Sequence, residues 1–385
     1  MMADYLLGDI VEFIGGGTPD KSKPEYWNGP IPWASVKDFK SSHLTQTQDF
    51  ISDEGLKSSA SKLIPPDTVI IPTRMAVGRA AINSKPMAIN QDLKALKPKI
   101  KLETKFLLHL MLANASILIS KATGATVQGI RLEHLKSLKV SIPPLEEQKR
   151  IAGILDAAED LRQKRQRSLE LLDELKQSIF WETFFQSTDG TKTRVKLAEV
   201  VDFRSSQVDP KRQPYSEMLH VGPEHIASNT GEISWQNVRT ATEDGVKSGK
   251  YKFESGDLIY SKIRPYLNKV AVADREGICS ADMYALHNPQ KITIEFLHFL
   301  LMSNDFLNYA ETLSNRANIP KLNRGQLSEY EFDLPSKASL QVFSKKMKNL
   351  DEVAKQLLLS TTKIDELFTS LQHKAFAGEL LGTAA

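Results

Sequence analysis

The sequence LGDIVEF at residues 7–13 recurs 190 residues later as LAEVVDF at residues 197–203. Every position of the first segment keeps its size or charge class in the second. Self-similarity at a fixed offset is the signature of a duplicated structural unit. The same offset relates further pairs downstream: DTVI at 67–70 and DLIY at 257–260, Arg74 and Arg264, Arg79 and Lys269, and Asp92 and Asp282.

The repeat continues to the end of both copies with a slightly larger offset. From Leu135 and Leu327 onward the offset is 192, as a two-residue loop insertion would produce, and LDEL at 172–175 then aligns with IDEL at 364–367. The sequence therefore predicts two copies of one unit, each a globular part followed by a long helix. The predicted divisions are 1–143 and 188–335 for the globular parts, and 144–187 and 336–380 for the helices.

The globular parts have the pattern of a mixed α/β (α+β) fold. Short β-branched runs bounded by Gly, Pro or Asp predict strands at 69–71, 139–142 and 257–260. Apolar residues at helical spacing predict packed helices in the segments 106–119 and 294–309.

The helical parts are predicted from composition and from the prolines that precede them. Residues 145–185 contain no proline and are rich in Leu, Glu, Lys, Gln and Arg, which favour helices. Pro143 and Pro144 suit a helix start, because proline lacks only a donor that the first turn leaves unpaired. A helix of this span is about 60 Å long. The second copy runs from about Ser336 to Phe376.

A heptad seam runs along both helices, with basic residues interrupting the middle of the first. The 4,3 spacing predicts that they pair as a coiled coil. Because a globular part intervenes between them, we expect an antiparallel pair with the globular parts at opposite ends. The predicted seam residues are Ile151, Leu155, Ala158, Leu172 and Ile179 in the first helix, and Phe343, Met347, Leu350, Ile364 and Leu371 in the second.

Composition limits the class of protein. A net charge of +3 and a pI near 8.6 permit nucleic-acid binding without requiring it. A lone cysteine, Cys279, excludes an internal disulfide framework and a cysteine-based zinc site. No apolar run reaches the roughly 18 residues of a membrane span, and residues 1–10 lack the features of a signal peptide. We expect a cytoplasmic protein with no membrane association.

Motifs of common catalytic and cofactor sites are missing from the sequence. It contains no phosphate-binding loop, Rossmann fingerprint, His-Glu-x-x-His zinc motif or nucleophile elbow. The glycine run at 15–17 lacks the Lys-Ser/Thr of a phosphate loop, and we interpret it as a flexible turn whose backbone can approach DNA. We therefore expect no catalytic residue, no metal site and no cofactor in this chain.

Basic residues occur in the loops of both globular parts. Such residues can neutralise DNA phosphates or contact base edges in the major groove, whereas a solvated surface charge explains any one of them at least as well. For Arg74 and Arg264, retained at equivalent positions, a DNA contact and a structural salt bridge explain the retention equally. The candidates are Lys21, Lys23, Arg74 and Arg79 in the first part, and Lys211, Arg212, Lys262, Arg264, Lys269 and Lys321 in the second.

A polar segment precedes the last strand of each globular part. Residues 123–130, TGATVQGI, and 315–321, NRANIPK, occupy matching places but differ in sequence. Two related domains that bind different DNA sequences would differ in this way. Two ordinary loops whose sequences had diverged would differ in the same way. The candidate residues are Thr126 and Gln128 in the first segment and Asn318 in the second, together with Lys321.

Several motifs together resemble one known family, the specificity subunits of Type I restriction-modification systems. The resemblance covers nearly the whole chain, and the combination is far more specific than any single motif. The motifs are GG-TP at 15–19, PEYW at 24–27, IPW at 31–33, GDLIYSKIRPYL at 256–267, IPPLEEQ at 142–148 and KAFAGEL at 374–380.

The resemblance implies two target recognition domains that each read half of a bipartite DNA site, with the helix pair as spacer. It also implies two modification subunits, which bind S-adenosylmethionine and usually methylate adenine. Two restriction subunits that use ATP and magnesium are the further partners of the family. One departure is SSQVD at 205–209, which replaces the glycine-rich turn in the second copy. The DNA contacts of that turn are therefore not transferred to the second copy.

Apolar positions outside the seam are available for partner helices, although packing within the helix pair explains them equally well. They are Ile154, Leu161, Leu175, Leu358 and Leu367.

Two other functions are considered. A stand-alone DNA methyltransferase or nuclease is disfavoured by the missing motifs, and a cofactor titration on the isolated chain would distinguish it. A protein-only scaffold would lack the steep salt dependence that phosphate neutralisation gives to DNA binding.

Overall fold

The computed structural model describes residues 2–124, 128–186, 193–314 and 320–380. The chain divides into two compact units, here called unit 1 and unit 2. Unit 1 comprises Met1–Gln166 and Leu359–Ala385, and unit 2 comprises Arg167–Leu358.

The globular part of unit 1 is built from strands and short helices, and the first long helix begins directly after it. The strands are β1 (Ala3–Leu6), β2 (Val11–Gly15), β3 (Trp27–Ala34), β4 (His43–Leu44), β5 (Asp49–Ile51), β6 (Leu63–Ile64), β7 (Val69–Pro72), β8 (Ala81–Asn83), β9 (Met87–Ile89), β10 (Leu93–Pro98) and β11 (Lys139–Ile142). The helices are α1 (Leu7–Ile10), α2 (Asp53–Lys57), α3 (Thr104–Ala113), α4 (Ala115–Ser120), α5 (Leu132–Lys136) and α6 (Leu145–Phe184).

Unit 2 repeats this order. Its strands are β12 (Arg194–Lys196), β13 (Asp202–Phe203), β14 (Gln207–Val208), β15 (Leu219–Val221), β16 (Arg239–Thr240), β17 (Lys250–Phe253), β18 (Leu258–Ser261), β19 (Val270–Val272), β20 (Gly277–Cys279), β21 (Met283–His287) and β22 (Glu331–Asp333). Its helices are α7 (Ile294–Met302), α8 (Asn304–Ser314), α9 (Arg324–Ser328) and the long α10 (Lys337–Phe376).

The two copies share the central strands of both sheets, whereas among the described residues the edge strand β4 occurs only in unit 1 and the edge strand β14 only in unit 2. In unit 1 one sheet has the order β2-β10-β7-β8-β4 and a second has the order β5-β3-β9-β6, with β3 and β9 parallel. In unit 2 the corresponding orders are β13-β21-β18-β19 and β14-β17-β20-β15-β16, with β15 and β20 parallel. The prediction of a duplicated α+β fold is confirmed.

The central strand β7 shows why the two sheets pack as they do. All four of its residues are buried, as expected of a strand that is covered on both faces. Val69 and Ile71 join the core cluster that contains α3, whereas Ile70 joins the cluster between the sheets. This alternation follows from the two-residue period of a strand. In β18, Leu258 and Ile259 divide between two clusters in the same way.

Helices form over both predicted stretches, 106–119 and 294–309, and each stretch is divided into two helices. The first breaks at Asn114, whose Nδ2 donates to the carbonyl of Leu110 at 2.8 Å. The second breaks at Ser303, which has an extended backbone and whose Oγ accepts from the amide of Phe306 at 3.2 Å. Asn and Ser side chains compete with the helical backbone for hydrogen bonds, so they favour helix ends.

Within unit 1, the N-terminal half of α6 pairs with the C-terminal half of α10. Arg150 donates to the carbonyl of Leu380, and further along α6 the Nε of Arg162 lies 2.6 Å from Oδ1 of Asp365. Partner numbers fall as α6 numbers rise, so the two segments are antiparallel. The guanidinium of Arg162 also lies 4.8 Å from the ring centre of Phe368. The positive charge of Arg162, a basic residue in the seam, is thus stabilised by a carboxylate and by the face of an aromatic ring.

Within unit 2, the C-terminal half of α6 pairs with the N-terminal half of α10 in the same antiparallel sense. Nζ of Lys176 lies 2.7 Å from Oδ1 of Asp351, and the rings of Phe184 and Phe343 are 5.1 Å apart. None of the predicted seam residues is exposed. Fully buried members are Ile151, Leu155, Ala158, Leu172, Phe343 and Met347, and partly buried members are Ile179, Leu350, Ile364 and Leu371.

Each unit has a buried histidine on the equivalent helix, one position apart in the repeat. His109 on α3 bonds through Nε2 to Oδ1 of Asp156 on α6 at 2.8 Å. His298 on α7 has no such carboxylate bond, and its Nε2 has no hydrogen-bond partner among the described residues. Burial lowers the pKa of His298 to about 4, with the nearby charge of Lys176 a smaller cause in the same direction.

We expect unit 2 to lose stability as the pH falls from 7 to 5. Below the unfolded-state pKa, about 6.5 for histidine, the unfolded chain binds a proton that folded His298 does not take up until about pH 4. This difference lowers the free energy of unfolding by about 2 kcal/mol at pH 5. Urea unfolding of wild type and His298→Gln at pH 7 and pH 5 measures this change in the free energy of unfolding. The control, His43→Gln, replaces an exposed histidine and should keep the wild-type difference. Equal pH dependence in His298→Gln and wild type would contradict this account.

Candidate nucleic-acid interface

The loop after β7 in unit 1 pairs with the polar segment that precedes β11. The amide of Met75 donates to the carbonyl of Gln128 at 2.9 Å, and the amide of Ile130 donates to the carbonyl of Thr73 at 2.9 Å. Arg74 forms an isolated antiparallel bridge with Gly129. Arg74 and Gln128, two candidates separated in sequence, are thereby brought to one edge of the fold. Thr126 lies outside the described residues.

The equivalent loop after β18 in unit 2 pairs with the corresponding segment. The amide of Arg264 donates to the carbonyl of Pro320 at 2.7 Å, and the amide of Leu322 donates to the carbonyl of Lys262 at 2.9 Å. This pairing therefore places the loop of Lys262 and Arg264 next to the segment of Lys321. Asn318 lies outside the described residues.

In the described part of unit 2, few acidic side chains lie near these cations. Lys262 is 4.0 Å from Asp282 at the limit of an ion pair, and its Nζ also contacts the carbonyl of Ala281. Burial lowers the pKa of Lys262, and the nearby charge of Lys321 lowers it further. The exposed side chain of Arg264 makes no hydrogen bond or ion pair with any residue that the structure describes. Like charges held together without matching anions favour an external anion such as a phosphate.

The salt-bridge explanation for Arg74 and Arg264 finds little support. Arg74 lies 3.9 Å from Asp92, and its side chain is 64% exposed. An ion pair of this length and exposure contributes at most about 1 kcal/mol. Since Arg264 has no carboxylate partner among the described residues, a structural ion pair does not account for retention at both positions.

Arg79 and Lys269 are anchored inside their units. Nη1 of Arg79 donates to the carbonyl of Phe39 at 2.6 Å, and Nζ of Lys269 donates to the carbonyl of Pro223 at 2.7 Å. Both carbonyls lie in or directly after a short 3₁₀ turn that follows β3 or β15. This shared backbone contact is a structural reason for retaining a cation at both positions. Their role in DNA binding stays a prediction.

The remaining basic candidates lie on other loops. Lys23 contacts Tyr26 through the hydroxyl at 3.2 Å and lies 5.1 Å from the ring centre, and Arg212 pairs with Asp209 at 3.4 Å. Lys21 and Lys211 are exposed. Among the described residues, none of these four side chains bonds to the Arg74 loop or the Arg264 loop.

Sequence reasoning missed three residues at these loops. Arg324 begins α9 just after the segment of Lys321 and lies 4.7 Å from the ring centre of Phe203. Met75 and Tyr266 are large apolar residues that are exposed at the loops themselves. The position of Arg324 beside the polar segment was a usable signal, whereas the exposure of Met75 and Tyr266 depends on loop conformation.

Among the described residues, no group of three or more His, Cys, Asp or Glu side chains could hold a metal ion. In the same part of the chain, no helix combines the length and the apolar character needed to cross a bilayer.

Comparison with known proteins finds similarity over nearly the whole chain. The family model described as "Type I restriction modification DNA specificity domain" matches residues 2–171 and 193–367. The specificity subunit of the Type I restriction enzyme EcoDI from Escherichia coli is 29% identical over 323 residues, which cover 73% of this chain and 71% of that protein.

Two solved structures have the same fold. The S subunit of a Type I restriction-modification system from M. genitalium has a TM-score of 0.55 at 14% identity, covering 98% of this chain and 96% of its own. A chain from a study of the assembly and conformational transition of the Type I restriction-modification system has a TM-score of 0.57 at 14% identity, covering 97% of each chain.

Proposed function

Because the chain belongs to the family of Type I restriction-modification DNA specificity domains and carries two copies of that domain, we propose that it is a DNA specificity subunit. Each globular part is a target recognition domain that binds one half of a bipartite DNA site. The observation that carries this is the repeated pairing of an arginine loop with a polar segment in both units.

The two elements of this pairing have different roles. Arg74 and Arg264 are the same residue in two domains that bind different half-sites, so they contact what all half-sites share, the phosphates. Gln128 and Lys321 lie on segments that differ between the copies, so these segments contact the bases. Phosphate contacts fix the position of a protein on DNA, whereas base contacts specify the sequence.

Catalysis belongs to partner subunits in this proposal. Modification subunits bind S-adenosylmethionine and methylate the DNA, and restriction subunits, where present, use ATP and magnesium. The assembly is cytoplasmic. Exposed leucines on the long helices offer a docking surface, and Leu161, Leu175 and Leu367 are each about half exposed. A similar fold comes from a study of Type I complex assembly, which supports this arrangement.

Salt-dependent DNA binding tests the proposal. The half-sites are first read from the methylated bases of the host genome. The chain in complex with its modification subunit should bind a duplex carrying both half-sites about 10³-fold more tightly than a scrambled duplex. Arg74→Ala and Arg264→Ala should weaken binding to every duplex and reduce the slope of log Kd against log salt by about 0.9 each. Fluorescence anisotropy at several salt concentrations measures both quantities.

The matched control is Lys101→Ala, an exposed cation beyond the opposite end of β10 from the Arg74 loop. It should leave the slope unchanged. Equal affinity of the wild-type complex for specific and scrambled DNA would contradict the proposed function and favour a protein-only scaffold. Loss of folding in either arginine variant would instead assign that arginine a structural role.

A further inference from the structure

The two arginine loops each carry an exposed apolar side chain next to the arginine. Met75 is 69% exposed and Tyr266 is 50% exposed. They occupy adjacent positions of the repeat, one and two residues after the retained arginine. Large apolar side chains at this exposure lose the benefit of burial, so the presence of one beside the arginine of each loop indicates a contact surface in each unit.

Left-handed backbone conformations occur in both loops. Met75 has φ of +63°, and Arg264 and Asn268 on either side of Tyr266 have φ of +49° and +47°. Such angles are uncommon for Met and Arg, whereas Asn adopts them more readily. Hydrogen bonds from the amide of Met75 to Gln128 and from Nδ2 of Asn268 to the carbonyl of Met302 at 3.3 Å fix the loops. Strain kept in place by surrounding bonds is typical of binding sites.

Charge identifies the occupant of this surface. Met75 follows the exposed Arg74, and Tyr266 lies two residues after the exposed Arg264, whose amide donates to the carbonyl of Pro320 next to Lys321. An apolar side chain next to an exposed arginine fits DNA, where phosphates flank the bases, better than it fits an apolar protein surface.

We propose that Met75 and Tyr266 are base-contacting, specificity-determining residues, each for one half-site. This inference rests on the proposed function. The arginine is the same in both loops, and the neighbouring apolar residue differs, as expected if the first contacts phosphates and the second contacts different bases. The thioether of Met75 can pack on a thymine methyl group. The ring of Tyr266 can do the same, and its hydroxyl can bond a base edge.

Sequence selection by the assembled complex tests this inference. The full chain with its modification subunit is incubated with duplex pools in which one half-site is randomised at a time, and the bound sequences are counted. Met75→Ala should reduce discrimination about tenfold at one or two bases of one half-site, and Tyr266→Ala should do so only in the other. Tyr266→Phe keeps the ring and removes the hydroxyl, so it distinguishes their contributions to base discrimination. Neither variant should change the salt slope, because no charge is removed.

The control variant is Leu63→Ala, which removes an exposed leucine from β6 in unit 1 and should keep the wild-type preference. Thermal unfolding and size-exclusion chromatography check that each variant folds and assembles. An unchanged preference, a uniform loss on all sequences, or an effect of one variant on both half-sites would overturn the inference. A wild-type complex that selects no bipartite site would contradict the proposed function instead.

Discussion

Replacing Gly16 with alanine is expected to destabilise unit 1 by about 3 kcal/mol or more. A Cβ at this position would lie 1.9 Å from the carbonyl oxygen of Ile89 and 2.5 Å from that of Asn90. Both are backbone atoms, so no side chain can move aside. The amide of Gly17 is bonded to the same Ile89 carbonyl at 3.0 Å, which holds the two segments together. Urea unfolding of the full chain measures the loss.

The control for this substitution is Gly153→Ala in α6. An added Cβ there meets nothing within 4 Å, and alanine favours a helix interior over glycine by up to about 1 kcal/mol. This variant should therefore be slightly more stable than wild type. A Gly16→Ala protein that unfolds at the wild-type urea concentration would show that the turn after β2 can shift enough to accommodate a methyl group.

The glycine run shows where interpretation from the sequence alone stopped. Because no Lys-Ser/Thr follows the run, a phosphate loop was excluded. The remaining explanation for the glycines was that another molecule, such as DNA, approaches their backbone closely. In the structure the close approach of Gly16 and Gly17 is to the chain itself, at Ile89 and at Ala60–Ser61. Sequence shows that small residues are needed but does not identify the neighbouring segment, which lies more than forty residues away.

The long helices were predictable because their evidence is local. Heptad spacing, helix-favouring composition and Pro143-Pro144 all lie within the segment that they describe. The strand at 139–142 was predicted with its observed bounds, and the one at 257–260 is displaced by a single residue. The helix breaks at Asn114 and Ser303 were missed because apolar periodicity continues across both.

The candidate interface was only partly predictable. Retention of Arg74 and Arg264 identified the two loops, but their pairing with the segments of Gln128 and Lys321 depends on long-range backbone bonds. Retention of Arg79 and Lys269 has an additional structural explanation, since each bonds to a backbone carbonyl. A repeat therefore identifies positions under constraint, whereas the structure is needed to separate internal constraint from binding.

Replacing Phe343 with alanine is expected to destabilise unit 2 by about 3–5 kcal/mol. The ring is fully buried. It lies 5.7 Å from the ring of Phe180, 5.1 Å from that of Phe184 and 5.6 Å from that of Phe299, measured between centres. Removing it leaves a cavity among these rings, where α6 and α10 pack on the globular part of unit 2. Urea unfolding should show the loss even in the absence of any partner.

The matched variant is the double substitution Leu171→Ala and Leu175→Ala on the exposed face of α6 in the same unit. Both leucines are nearly half exposed, so the free energy of unfolding should change by less than about 0.5 kcal/mol per substitution. If this face docks a modification subunit, the double variant should bind that subunit about tenfold more weakly, since removal of apolar anchors is costly in an interface. Calorimetric titration with the purified subunit measures the affinity. Unchanged affinity would remove this face from the docking surface, whereas a stability loss like that of Phe343→Ala would mean that the leucines belong to the internal packing of the helix pair.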